Sequence, residues 1–403
     1  MAYAQSVGMG FFPLDKELEL LPGKLTPSGR EQLVRLSGWM PFRKASEMFG
    51  DFTRIKVNKI VSQRGTEEAG KIYEEIQKAE VQRLQEKKPR ALAKPKKVQI
   101  SADGAMVPLL HGVWAEVKTL VIGEVQPPVE KKGERVVRTR KLSYFSRKVS
   151  SQEFETLCLA EMHRRGVENA KEVAAVMDGA EWEQSFTDYH CPRAIRILDF
   201  AHAAEHISPV GEFLHGEHTP ENKAWLDKHL HQLKHEGPTK LLAEFQKLQP
   251  KYPTVQMISS NLAYLKKREA QMQYPTFQRQ GWPIGSGIVE SGNKLVVEAR
   301  LKGSGMHWAE EHINPMLAIR NILCSERWKE DWPKIEASMR TRTSKKPTPA
   351  QSSVISGDDA LLLILKDKLA AQQAPSVKKS TSNPWRKFKY GKSLYQPSSP
   401  PKL

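Results

Sequence analysis

Between residues 98 and 204 the apolar residues change period repeatedly, and this stretch restricts the fold more than any other in the chain. "KKVQISADGAMVPL" and "VWAEVKTLVIGEV" are rich in β-branched residues and meet through "LHG", and "KLSYFSRKV" supplies a third such run. Runs of this composition bounded by turn residues predict strands, and three in succession predict an antiparallel meander. The period then lengthens. "SQEFETLCLAEMHRRG" reads as a helix, "EVAAVMDGA" as a short strand, "WEQSFTDYH" as a brief helix and "AIRILDF" as a fifth strand.

Strand–strand–strand–helix–strand–helix–strand is the order of a ribonuclease H-like core, so an α/β fold with a mixed sheet is expected over residues 98–204 and 273–332. The core is interrupted at 205–272, where "ENKAWLDKHLHQLKHEG" and "TKLLAEFQKL" are amphipathic and no strand pattern occurs, predicting an all-helical insertion. The chain returns through the Gly-rich loop "GWPIGSG" to a helix, "IVESGNKLVVEARLKG", whose Val289, Leu295 and Val296 are expected to pack on the sheet. Ahead of the core, residues 26–75 hold three short helical patterns, "PSGREQLVRLSGW", "PFRKASEMF" and "RIKVNKIVSQRGTEEAG", in a helix-turn-helix outline, with Ile55, Ile60 and Val61 as anchors of the third. Residues 1–25 form an N-terminal segment, 76–97 a charged helix running into a Lys/Pro-rich linker, and 333–403 a basic, largely disordered tail with one apolar helix, "DDALLLILKDKLAAQ".

Charge indicates the partner. The chain carries 63 Lys and Arg against 46 Asp and Glu, a formal +17, which favours a polyanion and nucleic acid first. In the third helical pattern Lys56, Asn58, Lys59 and Arg64 are residue types that contact phosphates and base edges in a major groove, so double-stranded DNA is expected there. Small helical trios also serve simply as packing units. The three cysteines, Cys158, Cys191 and Cys324, lie far apart without a C-x-x-C pair, which argues against a disulfide framework or a zinc ribbon and fits a reducing cytoplasm. No secretory leader and no run of about 18 apolar residues is read, so no membrane partner is expected.

Two Asp-Gly pairs carry the chemistry. Asp103 in "ISADGAM" falls at the end of the first predicted strand and Asp178 in "AAVMDGAEW" at the end of the fourth. Those strand ends are neighbours in a ribonuclease H-like sheet, so the two carboxylates are expected to meet. Glu290, at the start of the helix expected across the sheet, supplies a third acid. Asp103, Asp178 and Glu290 together suit Mg2+ (or Mn2+), a hard cation that takes oxygen ligands and can stabilise phosphoryl transfer on DNA. Read singly, each Asp-Gly is an ordinary turn. Lys294, one turn beyond Glu290, is placed to reach a scissile phosphate, and Arg300, Lys302, His307 and Trp308 make a basic and aromatic surface for a DNA end or else a solvated face. Trp114 and Trp182 are assigned to the core or the shell around it. A competing motif is H-x-x-E-H at His202, Glu205 and His206, which in a zinc hydrolase supplies two ligands and a base, with Glu236 or Glu269 as third ligand. The simpler reading of His206 is a helix residue satisfied by a neighbour.

Taken in order, "GFFPLDKELEL", "DGAMVPLLHGVWAEVK", "MDGAEW", "ILDFAHAAEHI", "GSGIVESGNKLVVEARLKGSGMHW" and "NPWRKF" resemble segments of ISKra-type bacterial insertion-sequence transposases, relatives of the Mutator-like DDE group. The resemblance covers nearly the whole chain. It implies that Asp103, Asp178 and Glu290 correspond to the family's catalytic and metal-binding acids, and that Asp199 and His202 correspond to a supporting C/D-x-x-H signature after the fifth strand. It further implies cleavage and strand transfer at element ends, binding to element and target DNA as a homo-oligomer, and a bacterial, nucleoid-associated cytoplasmic location. Family members carry further residues before "GFFPLD", so a shortened copy is expected. The alternatives left open are the zinc metallopeptidase and a truncated or domesticated DNA-binding protein without transposition activity.

Overall fold

The computed structural model describes residues 25–131 and 134–344. The N-terminal segment before Leu25, the apolar helix and "NPWRKF" fall outside the described residues. Three helices come first, α1 (Pro27–Trp39), α2 (Phe42–Thr53) and α3 (Lys59–Lys87), followed by strands β1 (Lys97–Pro108) and β2 (Trp114–Val125). A small ribbon, β3 (Val129–Lys131) with β4 (Glu134–Val136), precedes β5 (Thr139–Arg147), α4 (Ser151–Arg164), β6 (Glu172–Met177), α5 (Glu181–His190) and β7 (Ile195–Leu198). Four helices then run without a strand: α6 (Phe200–His215), α7 (Pro220–Glu236), α8 (Thr239–Leu248) and α9 (Gln256–Lys267). The chain returns through α10 (Tyr274–Arg279) to α11 (Gly287–Gly292), and closes with α12 (Ile313–Cys324) and α13 (Trp328–Ser344).

The result is an α/β fold on a five-stranded mixed sheet in the order β5-β2-β1-β6-β7. β1, β2 and β5 form the expected antiparallel meander, while β6 and β7 extend the sheet in parallel from β1. Side chains alternate between its two faces. One face buries Ile100, Leu120 and Ala175 against Phe154, Cys158 and Phe186 of α4 and α5. The other is split in two. Val107, Val117 and Val121 pack under Val289, Val296 and Val297, whereas Ala174, Val176 and Ile197 pack under the helices from α6 to α9. Between these apolar halves runs a buried polar stripe of Gln99, Ser101 and Thr119, with Asp103 at its end.

The N-terminal helices depart from a free-standing helix-turn-helix module. α3 is one helix of 29 residues, so no boundary falls at 75, and the charged segment expected as a separate helix is its second half. Ala69, Ile72 and Tyr73 share a core with Val34 of α1 and with Ile319, Ile322, Trp328 and Trp332 of α12 and α13. At Gly70 the crossing leaves no room for a side chain: an added Cβ would lie 2.1 Å from the Pro315 carbonyl oxygen. The tail expected to begin at 333 is helical to Ser344. Ile55 and Ile60, expected as anchors, are each 47% exposed, because residues 55–58 form a loop and α3 starts only at Lys59. Among the described residues no helix is long and apolar enough to cross a membrane.

Candidate active site

The strand register builds the site. β1 and β6 pair in parallel with Ile100 beside Ala175, and three residues further along the same offset brings Asp103 beside Asp178. β6 and β7 pair with Met177 beside Leu198, and the next step brings Asp178 beside Asp199; the Asp199 N–H continues the ladder by donating to the Met177 carbonyl at 2.8 Å. Neighbouring strands are about 4.8 Å apart and in-register residues share a face, so the three aspartates form a row across the sheet where the parallel pairing ends. Asp103 itself lies within β1 rather than at its end, because the antiparallel pairing with β2 continues to Pro108.

Each aspartate in the row is held differently. Asp103 Oδ1 accepts from the Gly104 N–H at 2.6 Å and Oδ2 from the Asn293 side-chain amide at 2.9 Å. Burial, joined by the Asp178 charge and opposed by those two hydrogen bonds, pushes its carboxyl up to about 6. Asp178 begins a turn whose Gly179 has φ +88°, and an added Cβ there would meet Arg268 and Tyr264 at 2.5 and 2.8 Å, so this position requires glycine. The Tyr264 hydroxyl donates to the Asp178 carbonyl at 2.5 Å and Arg268 Nε to the Gly179 carbonyl at 3.0 Å, so α9 and its end clamp the turn. Asp199 caps α6. Its Oδ1 accepts from the His202 N–H at 3.0 Å and its Oδ2 from the Ser286 N–H, which accounts for the D-x-x-H spacing as helix cap and third helical residue.

α11 crosses this row. Ser286 is tied to Asp199 at one end and Asn293 to Asp103 at the other, and Glu290 lies on the turn between them. The Glu290 side chain is 69% exposed and paired with Lys294 at 2.5 Å, rather than turned onto the aspartates. Beyond Gly292 the helix widens into a π-helical stretch, Asn293–Glu298, before Ala299–Leu301. The extra residue per turn rotates Val297, Arg300 and Leu301 inward and leaves Leu295 38% exposed, against expectation. Arg320 fills the disturbed ladder by donating to the Leu295 and Val296 carbonyls, and its Nη1 reaches the Gly38 carbonyl at the end of α1.

Glu183 was not legible as a site residue. It is completely buried in the first turn of α5, its Oε2 accepts from the Gly179 N–H at 3.0 Å, and its carboxyl contacts that of Asp178. Burial first, and then the Asp178 contact, pushes it up to about 10. Tyr264, Arg268 and Asn293 also escaped the sequence reading, since nothing in their local pattern marks them.

Several expected DNA contacts are placed elsewhere. Arg300 is buried between the Phe42 and Trp308 rings, at 4.7 and 5.3 Å, and donates to the Ser37 carbonyl at 3.0 Å. Trp308 is buried with its indole N–H on the Leu301 carbonyl. Both therefore tie the N-terminal helices to the core instead of facing a ligand. Asn58 is exposed, but its side-chain oxygen caps α3 by accepting from Val61 N–H at 3.0 Å. Lys56, Lys59 and Arg64 are exposed, and Lys302 pairs with Glu298 at 2.8 Å. Trp114, assigned to the core or its shell, is 55% exposed beside the β1–β2 turn, whereas Trp182 packs edge-on against Phe154.

In the H-x-x-E-H stretch, His206 bonds Asn261 at 2.7 Å and stacks on Tyr264 at 3.7 Å, while His202 pairs with Glu205. Of the two candidate third zinc ligands, Glu236 and Glu269, Glu236 is paired with Lys240 on the surface. Among the described residues no three His, Cys, Asp or Glu side chains converge as a ready-made metal site. The aspartate row nevertheless fits a magnesium-type ion, which takes one or two carboxylates and completes its shell with waters and substrate phosphates. No family model matches the chain, and no curated protein matches it in sequence.

Proposed function

We propose that the chain is a divalent-metal-dependent DNA transposase with a ribonuclease H-like core, cutting the ends of an insertion sequence and joining the freed 3′-hydroxyl to target DNA. The observation that supports this reading best is the register that, extended past Ile100 and Ala175, aligns Asp103 within β1 with Asp178 just beyond the end of β6, under a helix carrying Glu290. Asp103 and Asp178 would hold Mg2+ or Mn2+, and Glu290 would join by rotating away from Lys294. The bound ion would stabilise the charge that develops on the phosphodiester oxygens. Asn293 orients the Asp103 carboxylate, and Tyr264 and Arg268 fix the turn that presents Asp178. Lys294, released from Glu290, would neutralise a phosphate. Exposed Lys56, Lys59 and Arg64 supply a basic surface for duplex DNA.

The test is cleavage of DNA bearing the element ends in Mg2+, comparing the parent chain with Asp178→Asn. The substitution keeps shape and removes a charge the ion needs, so cleavage is expected to fall at least about a hundredfold, roughly 2.7 kcal/mol of barrier, while DNA binding is retained. Undiminished cleavage by the variant, or no Mg2+-dependent cleavage by the parent, overturns the reading. Peptidase activity in Zn2+ that is lost in Glu205→Gln would replace it with the metallopeptidase.

A further inference from the structure

Glu183 poses a problem that its own surroundings do not solve. Its side chain is fully buried, Oε2 is anchored by the Gly179 N–H, and Oε1 has no hydrogen-bond partner. Its carboxyl lies against that of Asp178, and among the described residues no Lys or Arg pairs with it. The nearby Lys267 and Arg268 pair with Glu181 instead, at 2.6 and 3.6 Å. Two carboxylates are both acceptors, so their contact is stable only when a positive species, a proton or a cation, lies between them. Asp178, at a strand end beside the partly open Asp103, gives that contact a route to solvent.

We infer that Glu183 is an inner carboxylate of the cation site, sharing a divalent ion with Asp178, and that Glu290 is not needed to bind that ion in the absence of DNA. This rests on the metal-dependent reading and refines it. A hard cation bridging the free Oε1 and the Asp178 carboxylate satisfies both acceptors and leaves its remaining positions for water and phosphate. The Gly179 N–H fixes the Glu183 oxygen that faces away, as supporting hydrogen bonds orient ligands in metal centres.

The experiment measures Mn2+ binding to the full chain without DNA, by titration calorimetry and the loss of the free-ion electron paramagnetic resonance signal. Glu183→Gln retains the shape and offers an amide to Asp178, so a merely structural role survives in it. Its Mn2+ affinity is expected to fall at least about tenfold. Glu183→Asp keeps the charge but withdraws it by one methylene, and should weaken binding similarly, which covers the case in which the Gln variant does not fold. Glu290→Gln is expected to bind within about twofold of the parent. Parent-like affinity in a folded Glu183 variant overturns the inference, and if Asp178→Asn still loses binding, the wider metal-dependent reading stands. A tenfold loss in Glu290→Gln also overturns it, and absence of Mn2+ binding by the parent overturns both.

Discussion

Asp103 ionises at a cost. Its folded form favours the proton, with the carboxyl pushed up to about 6 by burial and by Asp178. A raised carboxyl contributes stability that is fully present below the ordinary carboxylate range and is lost as the pH rises through the folded value. In the metal-free protein, Asp103→Asn should therefore be more stable than the parent above about pH 6, by about 1–3 kcal/mol, and indistinguishable near pH 4. Thermal midpoints in a chelator across that range check this, and a constant difference at all pH values would contradict it. The pairing of Asp103 with Asp178 on one face was readable from the strand pattern, although Asp103 stands within β1 and not at its end, because a one-residue error would move either side chain to the other face. Glu183 was not, because an acid in a first helical turn is ordinary chemistry at a helix N-terminus and only tertiary packing buries it. Arg300 and Trp308 were misread for the converse reason: the residue types suit a DNA surface or a cation–π core contact equally, and only tertiary packing decides, through the π-helical rotation for Arg300 and the bridge to Leu109 for Trp308.

At the scale of elements, the meander, the two further strands and the helical insertion were legible from period alone. The β3–β4 ribbon was missed because three-residue strands are too short for alternation to register. The false boundary within α3 has a different cause. "GKIYEEIQKAEVQRLQEKK" is dominated by charge, yet Ile72, Tyr73, Val81 and Leu84 bury at helical spacing among those charges. The close crossing of α3 and α12 gives a prediction with competing terms. In a helix interior Gly70→Ala would gain up to about 1 kcal/mol of propensity, but the new methyl meets Pro315 backbone that cannot move aside without displacing α12. The clash should win, lowering stability by about 1–3 kcal/mol net, and an unchanged or higher thermal midpoint would show that the helices separate readily.

For the whole molecule, charge and fold answer different questions. The formal +17 of the chain says nothing of where DNA lies, and of the residues expected to touch it Arg300 and Trp308 are interior. Lys56, Lys59 and Arg64 remain exposed, so neutralising all three should weaken duplex binding and reduce the slope of log affinity against log salt by up to about 2.7. An unaltered slope in a filter-binding or anisotropy titration would move the contact off α3. The core shared by Ala69 and Ile319 also has a temporal side. A ribosome adds about 5–20 residues per second, so the roughly 250 residues separating those two positions leave α1–α3 without their packing partners for on the order of ten to fifty seconds. The aspartate row can align as soon as β7 emerges, but the helix that crosses it is translated some 90 codons later, roughly 5–20 seconds at the same rate. A nascent chain thus displays its acids before it can close over them, and translation itself orders the assembly of the site.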